Sequence, residues 1–322
     1  MQKTEFNTII NNLQVKTRLD HTLVKLLPSF SRTKIKKLIL LNKVKINDKI
    51  INKPKKYILN GEKISINFFC EKKTSYLKPQ NITLNIIFED NDILVINKPD
   101  NLIVHPGVNN SENTILNALL YHYPKSINIP RAGIVHRLDK NTTGLMIIAK
   151  NIPSYRYLIN SLQLKQITRE YEAIVSGKII TGGSINKPIS RHPIKRTQMS
   201  VNKNGKQAIT HYRIIEHFRI HTRLLVRLET GRTHQILVHM AHINHPLLGK
   251  SLYNNKQYLN KKNNKYLKEI NNFNRQALHA IRLHFNHPTS KKRIKLYASL
   301  PDDMIKLIKN LKYDMYLNKN NI

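Results

Sequence analysis

Nine residues, His136-Arg137-Leu138-Asp139-Lys140-Asn141-Thr142-Thr143-Gly144, stand between two apolar runs, Ile134-Val135 and Leu145-Met146-Ile147-Ile148-Ala149. Both runs are β-branched or aliphatic and of strand length, so they predict strands whose ends are held by burial. A loop strung between such ends has little room to drift. Ordering a carboxylate, a guanidinium and an imidazole there removes side-chain freedom, which is costly unless the ordered groups serve a purpose. A plain strand-connecting turn, with Asp139 accepting from neighbouring backbone N–H groups and Arg137 solvated, satisfies the same residues, and the run by itself favours that turn.

At 322 residues the chain is long enough for about two domains, each with its own core. The 55 Lys and Arg against 19 Asp and Glu leave a formal net charge of +36. Such an excess attracts polyanions through counterion release, so nucleic acid is the first partner to consider. Lys, Asn and Ile are abundant everywhere, however, including Asn254 to Asn272, and A/T-rich coding bias accounts for part of the charge. No apolar run reaches transmembrane length and Met1 to Glu5 begins no signal peptide, so a cytoplasmic protein without membrane contact is expected. The single cysteine, Cys70, excludes an intrachain disulfide and a Cys-rich zinc site. The fifteen His residues show no His-Glu-x-x-His spacing, and Gly182-Gly183 and Gly205 form no Gly-x-Gly-x-x-Gly loop. No metal and no cofactor are expected.

Residues 1 to 13 are polar and Asn-rich and read as a loose tail. Leu19, Leu23, Leu26 and Leu27 recur at helical spacing up to Pro28. Ser31 then caps a second helix carrying Ile35, Leu38 and Ile39 inward and Arg32, Lys34, Lys36 and Lys37 outward. Turns at Asn47-Asp48 and Asn60-Gly61 separate short strands. These elements define a small domain over 14–71, followed by a charged, proline-bearing linker over 72–83, a larger domain over 84–312 and a C-terminal tail over 313–322. In the larger domain strands are expected at 84–88, 93–97, 134–136, 145–149, 169–175, 211–217, 222–229 and 278–285, with helices at 114–122, 153–164, 233–243 and 304–311. Many strands with short links and few helices between them predict an α+β fold with a mainly antiparallel, mixed sheet. Asn254 to Asn272 reads as a mobile, polar insertion.

A second charged cluster, Glu229-Thr230-Gly231-Arg232-Thr233-His234-Gln235-Ile236, follows a strand signal. Gly231 permits a tight turn, and Arg232 at a helix start can face an anion or simply be solvated. With these clusters in view, the chain resembles the RluA-type pseudouridine synthases. His136 to Gly144 looks like their catalytic motif, Arg169-Glu170-Tyr171-Glu172-Ala173 like their tyrosine motif, and Gly231 to His239 like their third motif. Lys16 to Ile66, with Arg18-Leu19-Asp20, Ser31-Arg32 and Val44-Lys45-Ile46-Asn47, resembles an S4-like RNA-binding domain. The stretches Arg131 to Val135, Ile189 to Pro193, Arg213 to Glu216 and Arg275 to Ala280 are similar to one subgroup, so the likeness runs in order from about residue 14 to 312.

The resemblance implies isomerisation of uridine to pseudouridine in a hairpin of large-subunit ribosomal RNA or of the pre-ribosomal particle, by a monomer. Asp139 matches the family's essential aspartate, acting as nucleophile at C1′ or C6 or as base in a glycal route. Arg232 is expected about 3 Å from it, as a charge-assisted pair that keeps the carboxylate ionised against burial. Tyr171 offers an aromatic face for the uracil and a hydroxyl that could help remove the C5 proton. Arg137 suits the space left by an unstacked uridine. Arg32, Lys36 and Lys37 are expected to touch RNA through phosphate. His136 is expected to position the loop, and His234 and Gln235 to orient Arg232.

The chain departs from the family pattern at Leu237, where Arg is usual, at Asp48, where Gly is usual, and at Lys250, where Asp is common. Three other functions stay open from residues alone: the same chemistry on another ribosomal site or on tRNA, a non-catalytic assembly factor that binds ribosomal RNA, and, more weakly, a hydrolase using Asp139 and His136.

Overall fold

The computed structural model describes residues 2–11, 17–27, 30, 32–70, 78–107, 110–253 and 265–319. The chain forms two compact units, Met1–Tyr76 and Leu77–Ile322.

The first unit contains β1 (Gln2–Ile9), β2 (Thr17–Arg18), α1 (Leu19–Leu26), α2 (Arg32–Leu40), β3 (Val44–Ile46), β4 (Lys49–Ile50), β5 (Tyr57–Ile58) and β6 (Lys63–Cys70). Leu19, Leu23 and Leu27 of the first helical stretch and Ile35 and Ile39 of α2 pack on Val44, Ile46, Ile64 and Ile66 from the sheet β1-β6-β3-β4. Each such burial is worth about 2 kcal/mol, which lets a module this small hold a core. The Asn47-Asp48 turn has φ of 48° and 63°, so Asp48 takes a left-handed conformation that its place in the pattern usually gives to Gly. Asn47 Oδ1 accepts from the Lys63 amide and braces the turn. Residues 2–9 are not a loose tail. They pair antiparallel with β6, Phe6 opposite Ile66 and Thr8 opposite Ile64, because Phe6 and Ile10 reach the same core. Ser31, expected as the α2 cap, lies outside the described residues, as does the Lys34 side chain.

The second unit contains β7 (Ile86–Glu89), β8 (Ile93–Lys98), α3 (Ile115–His122), β9 (Thr143–Ala149), α4 (Ile152–Gln163), β10 (Thr168–Ser176), β11 (Gly183–Asn186), β12 (Ile189–Arg191) and β13 (Met199–Val201). It continues through β14 (Ile209–His217), β15 (His221–Leu228), α5 (Gln235–His242), α6 (Lys265–Asn271), β16 (Leu278–Asn286), β17 (Arg293–Tyr297) and α7 (Asp302–Lys319). Its sheet runs β11-β14-β15-β10-β16-β9-β8-β7, with β17 also on β16. Only the β9–β16 pair is parallel among these described neighbours; the others are antiparallel, as an α+β class requires. Alternation along β9 explains why the sheet is covered on both faces. Met146 and Ile148 join the cluster beneath α3 and α5, whereas Leu145, Ile147 and Ala149 join the one that holds Leu158 of α4.

Gly144 makes the parallel pairing possible. Its φ is +113°, and a Cβ there would lie 2.3 Å from the Ala280 carbonyl oxygen, so only glycine lets β9 approach β16 this closely.

Four expectations change. Ile134 to His136 is not a strand: Ile134 forms a single bridge to Ile148 after left-handed Arg131 and Ala132, whose φ values of 56° and 52° turn the chain. The 254–272 insertion is not wholly irregular, since 265–271 is helical and buries Ile270, while 254–264 lies outside the described residues. The C-terminal segment is helical to Lys319, because buried Asp314 takes a bidentate pair from Arg219 at 2.8 and 3.2 Å. Of the expected linker, 72–77 lies outside the described residues, and Lys78 and Gln80 are tied to Asn117 through backbone contacts.

Candidate active site

The loop before β9 is anchored residue by residue. The His136 Nε2 accepts from the Ile147 amide at 3.0 Å, so the ring proton sits on Nδ1, which is sealed from solvent without a partner. Burial pushes the His136 pKa down to about 3, helped by the nearby Arg169 charge, and the imidazole is neutral at ordinary pH. Lys98, fully buried at the end of β8, donates to the carbonyls of Pro99, Leu102 and Lys140 at 2.6, 2.9 and 3.0 Å. Burial lowers its pKa to about 7 against the opposing charges of Asp100 and Asp139. Arg275 reaches the Asn141 carbonyl at 3.4 Å while paired with Asp303, Gln276 donates to Thr142 at 3.1 Å, and Thr143 donates to His279 at 2.8 Å. Four consecutive residues after Asp139 are therefore held from other elements.

Asp139 itself is mostly covered, with 18% of its side chain exposed, and the His234 imidazole stands beside it, Nε2 to Oδ1 at 3.9 Å. Tyr171 projects from β10 beside a register shift between Glu170 and Tyr171, the kind of irregularity that re-aims a side chain. It is buried, and burial together with the Asp139 charge raises its pKa, with Arg169 opposing. Tyr171 is thus a neutral phenol near pH 7, a poor proton acceptor. Arg137 is exposed and bonds to none of the described residues.

The expected Asp139–Arg232 pair is not formed. Arg232 is exposed, and its Nε donates to the Gln207 carbonyl at 3.0 Å. Gln235 holds the turn instead: its Oε1 accepts from the Arg232 amide at 3.0 Å and the Thr230 hydroxyl at 2.8 Å, while its Nε2 donates to Ile209 and Thr210. These bonds set the turn's backbone and leave the guanidinium free to point outward. The imidazole of His234 occupies the place beside the carboxylate. Leu237 is buried in the same apolar cluster as Tyr171 and Ile236.

An open hollow of about 600 Å³ touches this loop at Asn141 and is lined by Asp100, Arg275, Asp303 and Lys306, but not by Asp139, Tyr171 or Arg232. In the first unit, Arg32, Lys36 and Lys37 are exposed on α2. Arg32 also donates to Asp20 at 3.3 Å, and Arg18 grips the same buried carboxylate at 3.0 and 2.9 Å. Burial alone would raise the Asp20 pKa, but the hydrogen bonds from Arg18 and Arg32 outweigh it and hold the carboxyl low.

Among the described residues, Asp90, Asp92 and His287 form the one group with metal-like spacing. The His287 Nδ1 accepts from the Thr289 and Ser290 amides, so Nε2 carries the proton and donates to Asp90 at 2.8 Å. The lone pair a metal would need is taken, and the cluster locks two turns together. No helix among the described residues is long and apolar enough to cross a membrane.

Sequence reasoning did not single out Lys98, Arg275 or Tyr253 for this region. Lys98 carried a faint signal, a cation ending an apolar strand; Arg275 stood in a stretch similar to the family subgroup but was given no place at this site, and Tyr253, over a hundred residues from Asp139, had no signal.

A family model described as RNA pseudouridylate synthase matches residues 92–242, and an S4 domain model matches residues 17–64. The chain is 48% identical over 322 residues to the ribosomal large subunit pseudouridine synthase D of Escherichia coli strain K12, covering 100% of this chain and 98% of that protein. It is 51% identical over 302 residues to the protein of the same name from Haemophilus influenzae, covering 94% and 93%. The structure of human RNA pseudouridylate synthase domain containing 4 shares the fold, with a TM-score of 0.56, 23% identity and coverage of 71% of this chain and 93% of that one.

Proposed function

Because the chain belongs to the RluA-type RNA pseudouridylate synthase family, we propose that it isomerises uridines to pseudouridine in large-subunit ribosomal RNA, with Asp139 as the reacting carboxylate. In that reaction the N1–C1′ bond breaks and a C5–C1′ bond forms, while the C5 proton is lost and N1 gains one. No electron is gained or lost, and the residues required are a carboxylate, a platform for the base and a route for one proton.

The observation that carries the proposal is the hydrogen-bonded cage that holds the loop after Asp139. Its successors Lys140 to Thr143 are each held by a side chain from another element, and preorganisation of this kind is what a nucleophile or base needs to meet a swung-out nucleotide. Attack at C1′, attack at C6 and the glycal route all use the ionised carboxylate. Tyr171, neutral and buried, suits stacking on the uracil better than removal of the C5 proton. Arg232 has to exchange the Gln207 carbonyl for the carboxylate or for an RNA phosphate when substrate binds. Arg137, unengaged and planar, fits the gap left in the RNA stack. Arg32, Lys36 and Lys37 contribute phosphate contacts from the S4 unit. The substrate is large-subunit RNA, free or in an assembling particle, and the enzyme works in the cytoplasm as a monomer.

Pseudouridine mapping of ribosomal RNA from cells whose only copy carries Asp139→Asn tests this. Loss of modification at particular large-subunit uridines, with the variant still binding RNA, is expected. Unchanged modification at every site removes the catalytic assignment, and modification lost from tRNA instead moves the target.

A further inference from the structure

Beyond the motif residues, a short hydrogen-bonded chain ends at an imidazole that stands beside the proposed reacting carboxylate. Tyr253 Oη accepts the Met199 amide proton at 2.8 Å and lies 2.8 Å from His234 Nδ1. The two rings meet edge to face, with centroids 5.6 Å apart and planes at 77°. The far nitrogen of the same imidazole, Nε2, is 3.9 Å from Asp139 Oδ1. Met199 opens β13, the second strand of the hairpin β12–β13, and Gln198 ties the same hairpin to the Leu252 carbonyl at 2.8 Å.

We propose that Tyr253 and His234 are positioning residues that orient the Asp139 carboxylate, Tyr253 acting only through His234. The inference rests on the functional reading above and goes beyond it.

Three observations support the direction of the chain. With Oη already accepting from a backbone N–H, the Tyr253 hydroxyl has its own proton to give, and His234 Nδ1 is the acceptor within reach. An imidazole that accepts at Nδ1 carries its proton at Nε2, the atom aimed at Asp139. Burial raises the Tyr253 pKa and the Asp139 charge raises it further, so the phenol remains a donor through neutral pH and the field of the carboxylate reaches it. The second observation is the His234 backbone, at φ 53° and ψ 25°, left-handed for a residue with a Cβ. That conformation costs about 1 kcal/mol or more and persists where the surroundings demand it; here it swings the ring between Tyr253 and Asp139. The third is packing: Tyr253 lies against the small cluster of Ile189, Ala208 and Val238, which fixes the ring without its hydroxyl. Phe can take its place sterically.

The test uses the full chain with large-subunit ribosomal RNA transcribed with uridine tritiated at C5, reading tritium release in a single turnover beside RNA affinity. Tyr253→Phe is expected to lower the single-turnover rate about tenfold with affinity within about twofold of wild type. His234→Leu lowers the rate at least as much, and adding Tyr253→Phe to it lowers the rate no further. His234→Gln, whose amide can accept from the phenol and donate to the carboxylate, recovers most of the rate lost in His234→Leu. An unaffected Tyr253→Phe rate, a change in affinity alone, or additive losses in the double variant overturns the inference while the wild-type chain still makes product. Should Tyr253→Phe not fold, equal rates for His234→Leu and His234→Gln overturn it in the same way. A wild-type chain that releases no tritium overturns the functional reading and this inference with it.

Discussion

His279 gives the catalytic unit a specific sensitivity to acid. The ring is 1% exposed in β16, accepts from Thr143 at one nitrogen and faces the Ala298 carbonyl at 3.2 Å with the other. A carbonyl can only accept, so Nε2 carries the proton and the neutral ring satisfies both neighbours. Burial holds its pKa at about 4, below the usual 6.5. Above pH 6.5 the ring is neutral folded or unfolded, and its contribution is fully present. As pH falls from 6.5 toward 4, the unfolded chain takes up a proton that the folded chain refuses, and about 1.4 kcal/mol is lost per unit, or about 3 kcal/mol in all. His279→Gln cannot titrate. It costs about 1–2 kcal/mol at pH 7 through lost hydrogen bonds, but on acidification to pH 4 the difference moves by about 3 kcal/mol in its favour, which leaves the variant the more stable by about 1–2 kcal/mol. Amide exchange of the Thr143–Ala149 strand, corrected for intrinsic rates, reads this opening in the catalytic unit alone. A deficit that is the same at pH 7 and pH 4, or that widens, refutes the reasoning.

Other outcomes follow from the same structure. Lys98 has a dependence of the same sign in a higher window: with its folded pKa at about 7 against 10.5, the wild type gains on Lys98→Met by about 1.4 kcal/mol per unit as pH rises from 7 toward 10.5, readable by the same exchange experiment. Gly144→Ala costs about 3 kcal/mol or more, because the new Cβ meets the β16 backbone at a φ that L-residues avoid; thermal unfolding measures it, and a wild-type midpoint contradicts the close-approach account. Arg32→Ala reduces the slope of log affinity against log salt for RNA by about one, in a fluorescence anisotropy titration, whereas an unchanged slope removes Arg32 from the phosphate contacts.

How far the sequence carried depends on whether a feature is local. The helices of the first unit, the apolar run of β9, the α+β class and the charged loop ending in Gly144 were legible from spacing, because period and turn chemistry act within a few residues. Strand β1 was hidden by its Asn-rich composition, and β17 and α6 by short, polar stretches whose order comes from partners distant in the chain. The loop's left flank read as a strand because Ile134-Val135 is apolar, yet left-handed Arg131 and Ala132 bend the chain away before a ladder can form.

The chemistry divides in the same way. The motifs, through their resemblance to those of the family, marked out a carboxylate, a tyrosine and an arginine as the expected members of one centre. Only the tertiary structure decided which side chain stands next to Asp139. Arg232 and His234 are two residues apart, and which of them faces the carboxylate depends on how Gln235 pins the turn and how Tyr253, reaching in from another segment, draws the imidazole. Pattern can name the groups, but distances between side chains separated by a hundred residues are set by the packing of the whole sheet.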